Sequence, residues 1–137
     1  MPLDPARVDE TKSWLAKADD DLRGARVVLE VVPPLLEDAL FHCQQAVEKA
    51  EKAFLTWHDK SFRKTHNLVE LGFQCTELDS SLEPLLRRAS ALSSYATELR
   101  YPGMTAVPEA REASDALDTA TAVVSEIKKR LPADVSP

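Results

Sequence analysis

Residues 41–55 read Phe-His-Cys-Gln-Gln-Ala-Val-Glu-Lys-Ala-Glu-Lys-Ala-Phe-Leu. At 100° per residue, Cys43, Val47, Ala50 and Phe54 share one face with Leu36 and Leu40, the three-and-four spacing of an amphipathic helix. A half-buried strand would alternate every second residue, and this stretch does not. The spacing predicts a helix from about Leu35 to Trp57, and the rest of the chain is read outward from it.

Upstream, Asp4-Pro5 sets a cap residue before a proline at the first helical position, where a missing N–H costs nothing. Val8, Thr11, Trp14 or Leu15, Ala18, Leu22, Ala25 and Leu29 continue as one stripe until Pro33-Pro34 ends it. Downstream, the basic loop from Asp59 to Lys64 leads to Thr65, which is placed to cap a short helix carrying Leu68, Leu71 and Cys75 on one face. Ser80 with Glu83 fits a capping box opening a fourth helix with the stripe Leu85, Ala89, Leu92, Tyr95, Ala96 and Leu99, broken at Tyr101-Pro102-Gly103. Pro108 opens the last helix, whose seam is Ala110, Ala113, Leu117, Ala120, Val124, Ile127 and Leu131. Lys128, Lys129 and Arg130 close it, where cations oppose the negative end of the helix dipole. The expectation is an all-α, up-and-down bundle of four long helices plus one short helix, with residues 1–137 forming a single domain.

Composition agrees. With 44% apolar and 29% charged residues the chain is ordinary globular material, and only 3 glycines argue against a fold of tight hairpins. The net charge of -6 disfavours non-specific binding to nucleic acid, but leaves room for a local basic site. Cys43 and Cys75 form no C-x-x-C pair and sit within apolar patterns, so they read as buried thiols in a reducing compartment. The apolar run from Val27 to Leu36 is interrupted by Glu30 and Pro33-Pro34, well short of a membrane span. The acidic N-terminal residues do not resemble a signal peptide. A cytoplasmic protein without membrane contact is expected.

Candidate functional residues are polar groups on or beside apolar stripes. Gln44 and Glu51 lie seven apart on the core face of the second helix, and Glu48 lies at its edge. A buried carboxylate needs a partner, and Arg100, at the edge of the fourth stripe beside Tyr95, is one candidate for Glu51. The alternative is that Gln44 and Glu51 sit at the stripe margin and reach solvent or a second subunit. Gln45, Lys49 and Lys52 project from the other side, where Glu48 and Lys52 suit an i,i+4 ion pair on a solvated face. Lys60, Arg63, Lys64 and His66 concentrate positive charge before the third helix, as either an anion site or a plain solvated loop. His42 and His58 have no acids at metal-ligand spacing. No H-E-x-x-H, Glu-x-x-His, P-loop or G-x-G-x-x-G occurs, and no Ser-His-Asp triad can be ordered from the sequence, so no catalytic residue, cofactor or metal ligand is assigned.

Three stretches resemble the HEPN family, helical bundles related to the C-terminal domain of kanamycin-type nucleotidyltransferases. Trp14-Leu-Ala-Lys-Ala-Asp-Asp-Asp-Leu is similar to the family's opening pattern. Residues 41–55 resemble its F-x-x-Q-Q-A-x-E-K-x-x-K-A segment. Thr65-His-Asn-Leu resembles its H-[DN]-L turn, and Tyr95 through Arg100-Tyr-Pro its closing Y-x-x-x-x-R-Y-P. The resemblance implies a bundle that dimerises, often beside a small nucleotidyltransferase in a toxin–antitoxin-like pair, and that binds a nucleotide or short RNA. The implied ligand set is Gln44, Glu48, Lys52, His66 and Arg100. Glu51, Arg63 and Tyr95 join it from the reading of the stripes and the loop. Ribonuclease members carry an arginine followed four to six residues later by a histidine. Here Arg63 stands too close to His66 and no other arginine fits, so a binding module is expected over a metal-independent ribonuclease or a purely structural bundle.

Overall fold

A computed structural model of the chain describes residues 4–97 and 107–137, and among these every regular element is helical. The Tyr101-Pro102-Gly103 break, Leu99 and Arg100 lie outside the described residues. Helix α1 spans Pro5–Glu30, α2 Leu36–Trp57, α3 Leu68–Leu78, α4 Glu83–Ala89 and α5 Ala110–Lys129. Helices α1 and α2 pack as an antiparallel hairpin around the Pro33-Pro34 turn, and α5 closes the bundle against both. Helix α3 and the segment after α4 cover the remaining side of α2.

The expected stripes form the core. Leu15, Ala18 and Ala25 of α1, Leu40, Cys43, Val47 and Ala50 of α2, and Ala113, Ala120 and Ile127 of α5 have no exposure, and Phe54 has almost none. Burial pushes the Cys43 thiol up to about 12 and raises the Cys75 thiol further, so both stay protonated and inert. Asp4 caps α1 by accepting from the Ala6 N–H, with Pro5 at the first position. At the end of α2, Asp59 takes a left-handed conformation (φ 57°) and lets the Lys60 N–H reach the Leu55 carbonyl at 2.9 Å.

Five local expectations are corrected. The cap of α3 is Asn67, whose side chain accepts from the Val69 and Glu70 N–H groups, while the Thr65 hydroxyl accepts from the Asn67 N–H one turn earlier. Ser80 and Glu83 form no capping box. Ser80–Leu82 is a 3-10 turn capped by Asp79, and α4 starts at Glu83 with Pro84 in its first turn. From Ser90 to Ala96 the α-helix gives way to 3-10 geometry. The Ser90 hydroxyl donates to the Arg87 carbonyl at 2.6 Å, the local competition with the helix ladder that serine introduces. Leu86 takes the core position expected of Leu85, and Ala110 is exposed at the start of α5.

Candidate functional site

Because α1, α5, α3 and the 90–96 segment all pack on α2, part of the side opposite its apolar stripe is covered as well. The solvated face expected for Glu48 and Lys52 is therefore interior: Glu48 is 3% and Lys52 7% exposed. The ion pair itself is as expected, with Lys52 Nζ donating to Glu48 Oε2 at 2.9 Å. A buried charge pair needs further partners for its remaining atoms, and Glu48 has them. Glu48 Oε1 accepts from Gln44 Nε2 at 3.2 Å and lies 2.7 Å from His66 Nδ1. Lys52 Nζ also sits over the rings of Trp14 (5.4 Å) and Phe62 (5.7 Å), which meet edge to face.

Gln44 completes the arrangement. Its second Nε2 hydrogen goes to the His66 carbonyl at 3.2 Å, and its Oε1 accepts from Gln45 Nε2 at 2.6 Å. The Ser93 hydroxyl donates to the same carbonyl and accepts from the Leu68 N–H. The His66 backbone is thus held from α2 and from the 90–96 segment. Its ring is fixed through Nδ1 by a saturated, buried carboxylate, while the side chain remains 62% exposed. Among the described residues no hydrogen bond reaches Nε2.

A family model for the HEPN domain matches residues 11–131. The chain belongs to the HEPN family. Neither a curated protein nor a solved structure matches it. Membership accords with the helical bundle just described and points to nucleotide- or RNA-related function. No described helix of this HEPN domain is long and apolar enough to cross a membrane, and the described residues contain no group of three or more His, Cys, Asp or Glu side chains suited to a metal.

Of the site residues read from the sequence, Gln44, Glu48, Lys52 and His66 come together. Glu51 does not join them. It is fully buried, and neither carboxyl oxygen has a hydrogen-bond partner among the described residues, so it bonds to neither Gln44 nor His66, and its candidate partner Arg100 lies outside the described residues. Burial first, and the nearby Glu48 charge second, raise its pKa well above the usual carboxyl range, which keeps it a neutral acid. Arg63 is turned away into a two-bonded pair with Glu70 (2.7 and 2.9 Å), and both groups lie at the surface. The Tyr95 hydroxyl donates to Glu112 of α5.

A separate polar cluster between α1 and α2 was passed over by sequence reasoning. His42 does have a companion acid: its Nδ1 lies 2.9 Å from Asp21 Oδ1, across the α1–α2 hairpin, and Lys49 Nζ donates to Asp21 Oδ2 at 2.6 Å. A signal was present, since His42, Gln45, Lys49 and Lys52 repeat at i, i+3, i+7 and i+10 on α2. Asp21 could not be assigned to them without knowing how α1 docks.

Proposed function

We propose that this HEPN domain is a homodimeric module that binds a phosphate-bearing nucleotide or short RNA at His66. The observation that carries the reading is the two-layer arrangement. Glu48, Gln44 and Lys52 are buried, with Glu48 bonded to both of the others, and together they present an oriented, exposed imidazole beside Gln45. A layer built this way holds the outer group in place without competing for its ligand. Lys60 and Lys64, exposed in the loop that delivers His66, supply positive charge in a chain that is otherwise acidic. Pairing with a small nucleotidyltransferase in a toxin–antitoxin-like system extends the same reading to a protein partner.

A ribonuclease is the second reading, because an imidazole held by a carboxylate is also what a general base requires. It lacks the family's Arg–His spacing, and we expect binding without turnover. Calorimetry with AMP, ATP and a short RNA, on the wild type and on His66→Ala, tests the proposal. Micromolar binding weakened in the variant supports it, and absence of heat with every ligand removes it. RNA cleavage on a gel that is lost in His66→Ala would move the function to the second reading.

A further inference from the structure

Asp21, His42 and Lys49 repeat the chemistry of the His66 cluster beside it on α2, where His42 stands six residues, or roughly 9 Å of helix rise, before Glu48. Again a largely buried carboxylate (8% exposed) bonds a lysine through one oxygen and a histidine Nδ1 through the other. Again the outer groups stay accessible, with the side chains of His42 33% and Lys49 20% exposed. Among the described residues no hydrogen bond reaches His42 Nε2. The backbone has been shaped for the ring. Gly24, in the middle of α1, is where a Cβ would stand 3.0–3.2 Å from the imidazole Nδ1, Cε1 and Nε2 atoms. Glycine within a helix costs roughly 0.5–1 kcal/mol relative to alanine, so its presence here reflects the close approach of His42. Lys17, exposed one turn before Asp21 on the same face of α1, adds a further cation.

We propose that Asp21, His42 and Lys49 form a second phosphate subsite, so that the seam between α1 and α2 takes a single-stranded polynucleotide backbone rather than a mononucleotide alone. The His66 cluster holds one phosphate and the His42–Lys49 pair another farther along the same strand, while Asp21 positions both of its partners. The proposal rests on the phosphate reading of the His66 cluster. It differs in requiring a ligand with more than one phosphodiester.

The test uses the full chain with three probes: AMP, a fluorescent ten-residue oligoadenylate and its deoxy counterpart, read by calorimetry and anisotropy. The oligonucleotides bind more tightly than AMP. His42→Ala and Lys49→Ala each weaken oligonucleotide binding by about tenfold, the loss of one charge-assisted contact, and leave AMP binding unchanged. Gly24→Ala displaces the ring, so it weakens the oligonucleotide in the same way while thermal unfolding shows the fold retained. Equal loss for the ribo and deoxy strands assigns the recognition to phosphate, and a loss confined to the ribo strand assigns it to RNA. Oligonucleotide binding insensitive to all three variants overturns the second subsite and leaves the His66 reading standing. Oligonucleotide binding that needs His42 but is unchanged in His66→Ala removes the His66 reading and with it the strand path through two subsites. No binding of any probe removes both.

Discussion

The carboxyl group of Glu51 lies against the bare backbone of Gly72, where a Cβ would stand 3.1 Å from Oε2. Leu86 is the next neighbour of that point, so the acid is packed between α2, α3 and α4, and among the described residues neither of its oxygens has a hydrogen-bond partner. A raised folded-state pKa means that the folded protein holds a proton which the unfolded chain releases near the ordinary carboxyl value. Stability from this group is therefore complete at acid pH and falls as pH rises from about 4.5 toward the folded value. Glu51→Met removes the slope and the buried polar atoms together. The variant is expected to be more stable than wild type by about 1–3 kcal/mol at pH 4.5, where only the unsatisfied polar atoms count, and by a wider margin at pH 8. Urea unfolding of both proteins across that range checks it, and a wild-type excess at pH 8 would count against a neutral buried acid.

Glu48 and Lys52 make the opposite demand, because each is needed by the other. Glu48→Ala leaves the Lys52 ammonium in the interior and releases the His66 ring, and we expect a loss of about 3–5 kcal/mol. Glu48→Leu combined with Lys52→Met replaces both charges with apolar bulk, and the methionine sulfur still contacts Trp14 and Phe62. The double variant should lose less stability than Glu48→Ala alone, since only Gln44 and His66 are left short of an acceptor. A double-mutant cycle measured by urea unfolding reads the coupling. Simple additivity would show that the pair is not coupled as its geometry requires.

Sequence alone reached the helices and the core because both follow from local spacing. Leu40, Cys43, Val47, Ala50 and Phe54 are periodic whatever packs on them, and all are buried. The same spacing placed Lys52 on a solvated face, because periodicity ranks the sides of one helix but does not reveal whether other helices cover the polar one. Asp21 and His42 stand 21 residues apart and meet only through docking of the hairpin. Caps were misplaced by a few residues where several side chains compete: Thr65 and Asn67 both accept backbone bonds, and Asp79 precedes Ser80. The chemistry of the Glu48 cluster was partly legible through the family segment. Its two-layer character depends on burial, which no motif states.

Assembly is open to a direct test. Trp14, Trp57 and Phe62 pack partly into the core, whereas Phe73 is 67% and Val69 62% exposed, one turn apart on α3. They flank a shallow groove floored by Leu68, Gly72 and Leu86. HEPN domains commonly dimerise, and exposed apolar patches of this kind mark partner surfaces. We expect a dimer mass by light scattering at micromolar concentration, and a monomer mass for Phe73→Glu with an unchanged helical circular dichroism spectrum. A Phe73→Glu protein that stays dimeric would place the interface elsewhere.

Arg63 reads from the sequence as one of the anion-binding groups, and the structure pairs it with Glu70. The guanidinium already has two hydrogen bonds to a carboxylate, a geometry that matches phosphate equally well. Those bonds and the opposing charge hold the Glu70 carboxyl below its ordinary value, so the pair persists at neutral pH and an incoming phosphate must displace Glu70. Arg63→Ala should therefore change oligonucleotide affinity little. Glu70→Gln removes the competitor and should raise affinity severalfold, with a salt dependence steeper by about one unit of slope as one more phosphate contact forms. Arg63→Ala added to Glu70→Gln should return affinity to the wild-type level. Anisotropy titrations of the oligoadenylate at several salt concentrations measure all three. A large loss from Arg63→Ala alone would mean that Arg63 leaves Glu70 for the ligand unaided, and an unchanged affinity in Glu70→Gln would remove Arg63 from the binding surface.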